Sequence, residues 1–301
     1  MYQRLWERAE GWKACGGAVK KTSDDAAAKM TRQPTTTITD EMKRQSVDGH
    51  AHGDVDGSGR GKKRKLAAMT LPDGVSMYTK DTVPWDLVGY WRQRYSLFSL
   101  WDEGIWITDE GYYSVTPEQV AHKIARHILP PSLAKPQVII DAFCGVGGNA
   151  IQFALSPQCE KVIAIDHDET MLACARHNAA VYGVAEKIEF VKADFFEYAK
   201  RWDGSDEVDV VFMSPPWGGP SYKHDEVFDL QSMTYGGAEI YAAARKISSE
   251  IVMYLPRNGD LNQIARYEPD NDDIKIVHYC LQERSKALCA YFGSTGAGLL
   301  E

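Results

Sequence analysis

Residues 138–150, Val-Ile-Ile-Asp141-Ala-Phe-Cys-Gly145-Val-Gly147-Gly148-Asn149-Ala150, restrict this chain more than any other stretch. Three consecutive β-branched residues read as a short strand buried on both faces. The glycines permit a tight turn, and the residues after them open a helix. Downstream the pattern repeats. Val162–Ile165, Ile188–Val191, Val208–Met213 and Ile251–Leu255 read as strands. Glu169–Tyr182 (closed by Gly183), Ala238–Ile247 and Leu261–Tyr267 read as helices between them. Ile274–Cys280 and Ala287–Phe292 are last strands close enough for a hairpin. This alternation predicts an α/β, Rossmann-like fold. Its seven-stranded, mostly parallel sheet has helices on both faces and an antiparallel edge hairpin.

Upstream the pattern differs. Trp85–Trp101 is aromatic-rich, and Trp91, Tyr95 and Phe98 at spacings of four and three predict one helix. Thr116-Pro-Glu-Gln119 reads as a helix start, with Thr116 as cap and Val120, Ile124 and Ile128 on one face. Residues 85–135 are therefore expected to form a small helical N-terminal lobe, and 136–301 the main domain. Residues 1–84 carry 15 Lys and Arg against 11 Asp and Glu, whereas the remainder carries 19 against 31. Residues 20–65 contain almost no large apolar side chains, so burial cannot offset their ordering entropy. Residues 1–84 are read as a mostly disordered basic tail. Within it, Lys62-Lys-Arg-Lys65 fits a nuclear-localisation signal, an RNA-phosphate contact or a solvated charge run. The stretch from Asp48 to Ser58 suggests a metal loop but fails the EF-hand pattern, because the twelfth position from Asp54 is Lys65 rather than Glu.

The whole chain has a formal charge of −8, which argues against a non-specific coat on nucleic acid. No uncharged apolar run approaches the ~20 residues of a membrane helix, and no membrane partner is expected. The six cysteines are scattered without a CxxC pair, so no metal is expected and reduced thiols are.

The ligand is constrained by acids at strand ends. Gly145-x-Gly147-x-x-Ala150 satisfies a loose dinucleotide fingerprint, with Asp166 twenty-one positions beyond Gly145. Asp141 decides against a dinucleotide, since a carboxylate ahead of the glycines would repel a pyrophosphate. S-adenosylmethionine has no phosphates. Its ammonium and sulfonium make an acid at that strand tip attractive. Gly145 and Gly147 let backbone approach the ligand, and Asp166 suits two ribose hydroxyls. Asp194 can meet the adenine amine, with Phe195 against the ring. Plain turns and solvated acids are the alternative, but three acids at three successive strand ends favour a ligand.

The acceptor side is written in Ser214-Pro-Pro-Trp217-Gly-Gly-Pro220. An exocyclic amine conjugated to a base is a poor nucleophile. Acceptors on its N–H groups orient the lone pair and stabilise developing positive charge. The Ser214 side chain and Pro215 carbonyl are suitable acceptors, and Trp217 can stack the base. No strong general base is evident, and alignment carries much of such a transfer. His122, His127, His167 and His177 read as surface or satisfied helix positions.

Together, Asp141–Asn149, Ser114-Val-Thr-Pro-Glu118, Ser214–Pro220, Leu255-Pro-Arg-Asn258 and Ala290-Tyr-Phe-Gly293 resemble, in order, the blocks of the trimethylguanosine synthase family. The similarity covers residues 85–293. It implies a class I methyltransferase that uses S-adenosylmethionine to methylate N2 of a 7-methylguanosine cap twice, on small nuclear and nucleolar RNAs. It implies a donor site formed by Phe98, Thr116, Asp141, Ala142, Phe143, Gly145, Gly147, Asn149, Asp166, Asp194 and Phe195. Asn178 and Ser214 would hydrogen-bond the base, and Tyr222, Arg257 and Lys286 would hold the cap phosphates. Gly89 stands where the family tends to carry a lysine, leaving lower cap affinity or a substitute among Arg92, Arg94 and the tail lysines. Ribonucleoprotein proteins that deliver the RNA are the protein partners expected. The nucleus, with nucleolus and some cytoplasm, is the expected location. The rivals are a methyltransferase for another base amine (adenine N6, or guanine in ribosomal or transfer RNA) and an inactive cap-binding module. Ser214-Pro-Pro-Trp217 argues against the first, and the intact acids against the second.

Overall fold

The structure is a computed structural model, and it describes residues 15–16, 71–204, 207–268, 274–281 and 284–295. All of these lie in one compact unit. The Lys62–Lys65 cluster and the Asp48–Ser58 stretch fall outside the described residues.

The strands are β1 (Cys15–Gly16), β2 (Val75–Ser76), β3 (Ile107–Thr108), β4 (Gln137–Asp141), β5 (Cys159–Asp166), β6 (Ile188–Lys192), β7 (Val210–Met213), β8 (Ile251–Pro256), β9 (Lys275–Leu281) and β10 (Arg284–Phe292). The helices are α1 (Val88–Trp91), α2 (Arg94–Leu97), α3 (Gly111–Ser114), α4 (Glu118–Ile128), α5 (Gly148–Leu155), α6 (Glu169–Val181), α7 (Phe195–Lys200), α8 (Gly237–Ala244) and α9 (Leu261–Tyr267).

The main sheet runs β1-β9-β10-β8-β7-β4-β5-β6. Strands β6, β5, β4, β7 and β8 are parallel, and β10, β9 and β1 are antiparallel to their neighbours. The expected fold is present with one strand more than the seven expected. The backbone of Cys15–Gly16 pairs with Val277 and His278, taking up unpaired groups on the β9 edge.

Two cores flank the sheet, and the strands feed them alternately. Ile139, Val162, Phe212 and Tyr291 point into one, and Ile140, Ile163, Met213 and Phe292 into the other. This period of two on doubly covered strands explains why they read as unbroken apolar runs. At the carboxyl ends of β4 and β7 the strand order reverses, which opens the crevice where sheets of this class bind ligands.

The upstream lobe departs from expectation in three ways. First, residues 71–84, inside the segment read as tail, are folded against the lobe. Val75 pairs with Thr108, Tyr78 stacks on Tyr112, and the Trp91 indole N–H donates to the Tyr78 carbonyl at 3.0 Å. Second, Trp85–Trp101 is two single-turn helices and a 3₁₀ turn (Trp101–Glu103) rather than one helix. Gln93 leaves helical geometry (φ −93°, ψ 4°) and Phe98 is extended. The aromatic side chains pack to separate anchors, which outweighs their helical spacing. Third, Thr116 does not cap α4. Pro117 holds that position, and the Thr116 hydroxyl accepts from Asn149 Nδ2 at 3.0 Å. Glu118 instead reaches outward, accepting from the Ser99 hydroxyl (2.8 Å) and the Tyr182 hydroxyl (2.7 Å).

Candidate active site

A cavity partly open to solvent lies over the carboxyl ends of β4, β5 and β7. One wall is the glycine turn, Phe143 to Val146, with Asp166 and Asp168 beyond it. Another is the Ser214–Pro220 loop, and the third is Tyr90, Tyr113 and Ser114–Thr116 of the lobe.

The β4 turn is held from below and left open above. The Cys144 N–H donates to the Ile165 carbonyl, and the Gly145 N–H donates to Asp166 Oδ2 at 2.8 Å. Gly145 has φ 52°, and a Cβ built there meets nothing within 4 Å, so the backbone faces free space. Gly147 serves the opposite side. It has φ 90°, and its Cβ would lie 3.1 Å from Ala175 on α6, so its small size lets α6 approach the turn.

Asp166 accepts from Gly145 and from the Asp168 N–H (2.9 Å), one bond to each oxygen. Each oxygen keeps a lone pair for a diol. Burial raises its pKa, which those two N–H groups partly offset.

Asp141 is fully buried beneath the turn and does not line the cavity itself. Neither of its oxygens has a hydrogen-bond partner of normal geometry. Burial first, and the Asp166 charge second, push its pKa up to about 7, and the backbone of Ala150 and Phe143 lowers it only in part. Asn149 Oδ1 is also buried without a partner, although its amide nitrogen donates to Thr116. Thus three unfilled acceptor oxygens, on two side chains, lie at or behind a cavity wall formed by Thr116 and Asn149. A pair of this kind suits a cationic donor such as an ammonium, and suits a pyrophosphate poorly.

The other donor-site expectations are placed as follows. Thr116, Phe143, Gly145, Asn149 and Asp166 line the cavity. Ala142 is buried behind the turn. Asp194 is exposed and caps α7, accepting from the Phe196 and Glu197 N–H groups. Phe195 is buried and meets Phe143 edge-on at 5.6 Å, so Phe143 rather than Phe195 presents a ring to the cavity. Tyr235 stacks on Phe143 at 6.0 Å and also lines the wall. Phe98 is buried against Tyr182 (6.3 Å), away from the cavity.

On the acceptor side, Ser214, Pro215, Trp217 and Tyr222 all line the cavity. Trp217 lies on Tyr254 with centroids 5.5 Å apart and planes 27° apart, and Tyr222 meets it at 86°. Its indole N–H donates to the Tyr254 carbonyl at 3.4 Å. Asn258, at the end of β8, donates to the Tyr222 and Asp225 carbonyls and fastens the loop to the sheet. Trp217 is thus a supported aromatic platform at the cavity wall.

A profile of the RNA cap guanine-N2 methyltransferase family matches residues 136–295, which contain the turn, the acids and the platform. The chain belongs to this family. It is an S-adenosylmethionine-dependent methyltransferase. It is 40% identical over 218 residues to trimethylguanosine synthase of Schizosaccharomyces pombe, an alignment spanning 71% of this chain and 89% of that protein. It is 38% identical over 184 residues to trimethylguanosine synthase of Saccharomyces cerevisiae, spanning 60% of this chain and 58% of the yeast protein. A solved structure from Porphyromonas gingivalis W83, assigned as a methyltransferase, shares the fold at a TM-score of 0.51. That match has 15% identity and covers 68% of this chain and 47% of that one.

Three cap-site expectations sit apart from the cavity wall. Asn178 is fully buried on α6, where its amide donates to the Trp106 and Val146 carbonyls and its oxygen accepts from the Trp106 N–H. Both of its donors are committed, so it ties the lobe to the main domain and does not reach a base. Arg257 follows β8 and is exposed. Lys286 lies on β10, one position before Ala287, which pairs with Pro256. These two cations therefore sit side by side at one end of the sheet. Sequence reasoning passed over Lys223 and Glu110, which also line the cavity. Lys223 could have been found from its place six residues after Trp217, whereas nothing local marks Glu110.

Proposed function

We propose that the chain methylates the 2-amino group of the 7-methylguanosine cap on small nuclear and nucleolar RNAs, twice in succession, and works in the nucleus. The observation that carries this reading is Trp217. It is a platform held by Tyr254 and Tyr222, beside Ser214 and Pro215, in the same cavity as Asp166 and the glycine turn. A 7-methylguanine ring bears delocalised positive charge, so stacking on indole gains a cation–π contribution of about 0.5–2 kcal/mol. The platform supplies a physical reason to favour a methylated cap over a plain one.

The donor sulfonium provides an activated methyl group. The amine lone pair forms the new N–C bond as the S–C bond breaks, and the amine then releases a proton. The chain's own residues do the rest. Asp166 orients the donor's ribose. Asn149 and Thr116 would accept its ammonium end above the buried Asp141 charge, and Gly145 would give it room. Ser214 and the Pro215 carbonyl accept the amine N–H groups, which turns the lone pair toward the methyl and stabilises charge as it develops. Trp217 fixes the plane of the base, and Tyr222, Arg257 and Lys286 hold the phosphates. Alignment supplies most of the acceleration.

The test uses labelled donor and a 7-methylguanosine-capped small nuclear RNA. After digestion, the label is expected on N2 of the cap nucleoside, first once and then twice. Label on adenine or on internal guanine would overturn the reading.

A further inference from the structure

Four cations from three separate elements gather at one end of the sheet, and one of them, Lys223, lines the cavity. Lys223 belongs to the 3₁₀ turn Pro220–His224 that follows Trp217, and it lines the cavity. Arg257 leaves β8, and Arg284 and Lys286 lie on β10. The β8–β10 register brings the Arg257 end of one strand beside the Lys286 end of the other. Asn258, next to Arg257, is bonded to the Tyr222 carbonyl at 2.9 Å, which joins that strand end to the Lys223 turn. Among the described residues none of the four forms an ion pair. Burial, then the charges of Arg284, Lys223 and Arg257, lower the pKa of Lys286, so the four repel one another. Unpaired like charges drawn to one rim leave a field that an anion relieves.

Lys223 has a defined seat in this cluster. Its ammonium lies 5.7 Å from the Tyr90 ring centroid and 5.9 Å from that of Tyr222, and 3.4 Å from the Tyr90 hydroxyl. The Tyr90 hydroxyl, with the Tyr222 ring nearby, holds it over the cavity. Tyr90 directly follows Gly89, whose Cβ position opens into free space. The lobe therefore sends no cation from that position, and Lys223 occupies the neighbouring ground from the opposite wall.

We propose that Lys223 is a further binding contact for the cap phosphates, and that Arg284 extends the same grip to the phosphates of the first transcribed nucleotides. This rests on the cap reading of the cavity. Phosphate contacts of this kind add affinity through charge without reading a base.

The test compares Lys223→Ala, Lys223→Arg and Arg284→Ala in the full chain. Trp fluorescence titrations use 7-methylguanosine, its 5′-triphosphate, unmethylated GTP and a capped pentanucleotide. Lys223→Ala is expected to weaken the 7-methylated triphosphate about five- to tenfold, leave the nucleoside unchanged, and flatten the salt dependence. KM for capped RNA should rise with kcat retained, and Lys223→Arg should restore most of the loss. Arg284→Ala should leave the triphosphate unchanged and weaken the pentanucleotide. Equal weakening of nucleoside and triphosphate by Lys223→Ala would overturn the proposal, because Lys223 would then act only through Tyr90 packing. No effect on either would overturn it as well, as would unchanged pentanucleotide binding in Arg284→Ala for the second contact. If the wild type binds GTP and its 7-methylated form alike while Lys223→Ala weakens both, the cap reading fails and the phosphate contact stands.

Discussion

Asp141 has the most unusual environment of any single residue in the site. Its carboxyl titrates near 3.8 in an unfolded chain and at about 7 in the fold. Between those values the folded protein holds a proton that the unfolded chain has lost. The contribution of Asp141 to the stability of the donor-free protein therefore falls as pH rises from about 4 to about 7. Asp141→Asn removes that slope. In thermal denaturation without donor, the variant should gain on wild type steadily from pH 4 to pH 8, while calorimetry shows weaker donor binding. A variant that melts lower than wild type at pH 8 would mean that the fold itself supplies Asp141 with a partner. The acid at the strand tip was legible in the sequence because its position follows from the strand and the turn. The capping role of Asp194 was not, since helix capping and adenine binding call for the same residue after a strand, and it caps α7 through Oδ1 alone.

At the scale of elements, Asn178 joins α6 to the stretch entering β3. Truncating it strands the part-buried Trp106 N–H and carbonyl and the buried Val146 carbonyl. Asn178→Ala should cost about 2–4 kcal/mol of stability, and limited proteolysis should cut the lobe faster. A loss within 0.5 kcal/mol would show that the lobe is held elsewhere. The sequence marks Asn178 as polar on a helix, and polarity alone does not separate a buried tie from a base contact. The central strands were legible because burial on both faces leaves unbroken apolar runs such as Val138–Ile140 and Ile251–Leu255. Trp85–Trp101 misled for the reverse reason. Its helical spacing is real, but large rings with separate anchors bend the backbone between them, as the Trp91 indole bond to Tyr78 shows.

At the scale of the molecule, residues 71–84 belong with the lobe rather than with the tail. Val75, Tyr78 and Ser76 dock on β3, Tyr112 and Asp109, the last through bonds of 2.6 and 2.8 Å. A chain starting at Leu71 should fold with near-native melting, and one starting at Trp85 should melt several degrees lower, about 1–3 kcal/mol. Equal melting of the two would show that residues 71–84 add nothing. Composition hid this boundary because a short segment with few apolar residues resembles the tail it adjoins. The whole-chain charge of −8 likewise hides the local rim of Lys223, Arg257, Arg284 and Lys286.

The assembly as a whole brings donor acids, an amine-orienting loop and an aromatic platform into one cavity. The central claim is that the platform selects the methylated cap. The direct measurement is kcat/KM for one RNA carrying either a 7-methylguanosine or a plain guanosine cap, in wild type and in Trp217→Ala. Base stacking and the cation–π contribution together are worth about 2–4 kcal/mol. Only the cation–π part separates the two caps, so wild type should favour the methylated cap about two- to thirtyfold, and Trp217→Ala should lose about a hundredfold or more on it while donor binding persists. Equal turnover of the two caps by wild type, or a Trp217→Ala variant that keeps the preference, would contradict the account.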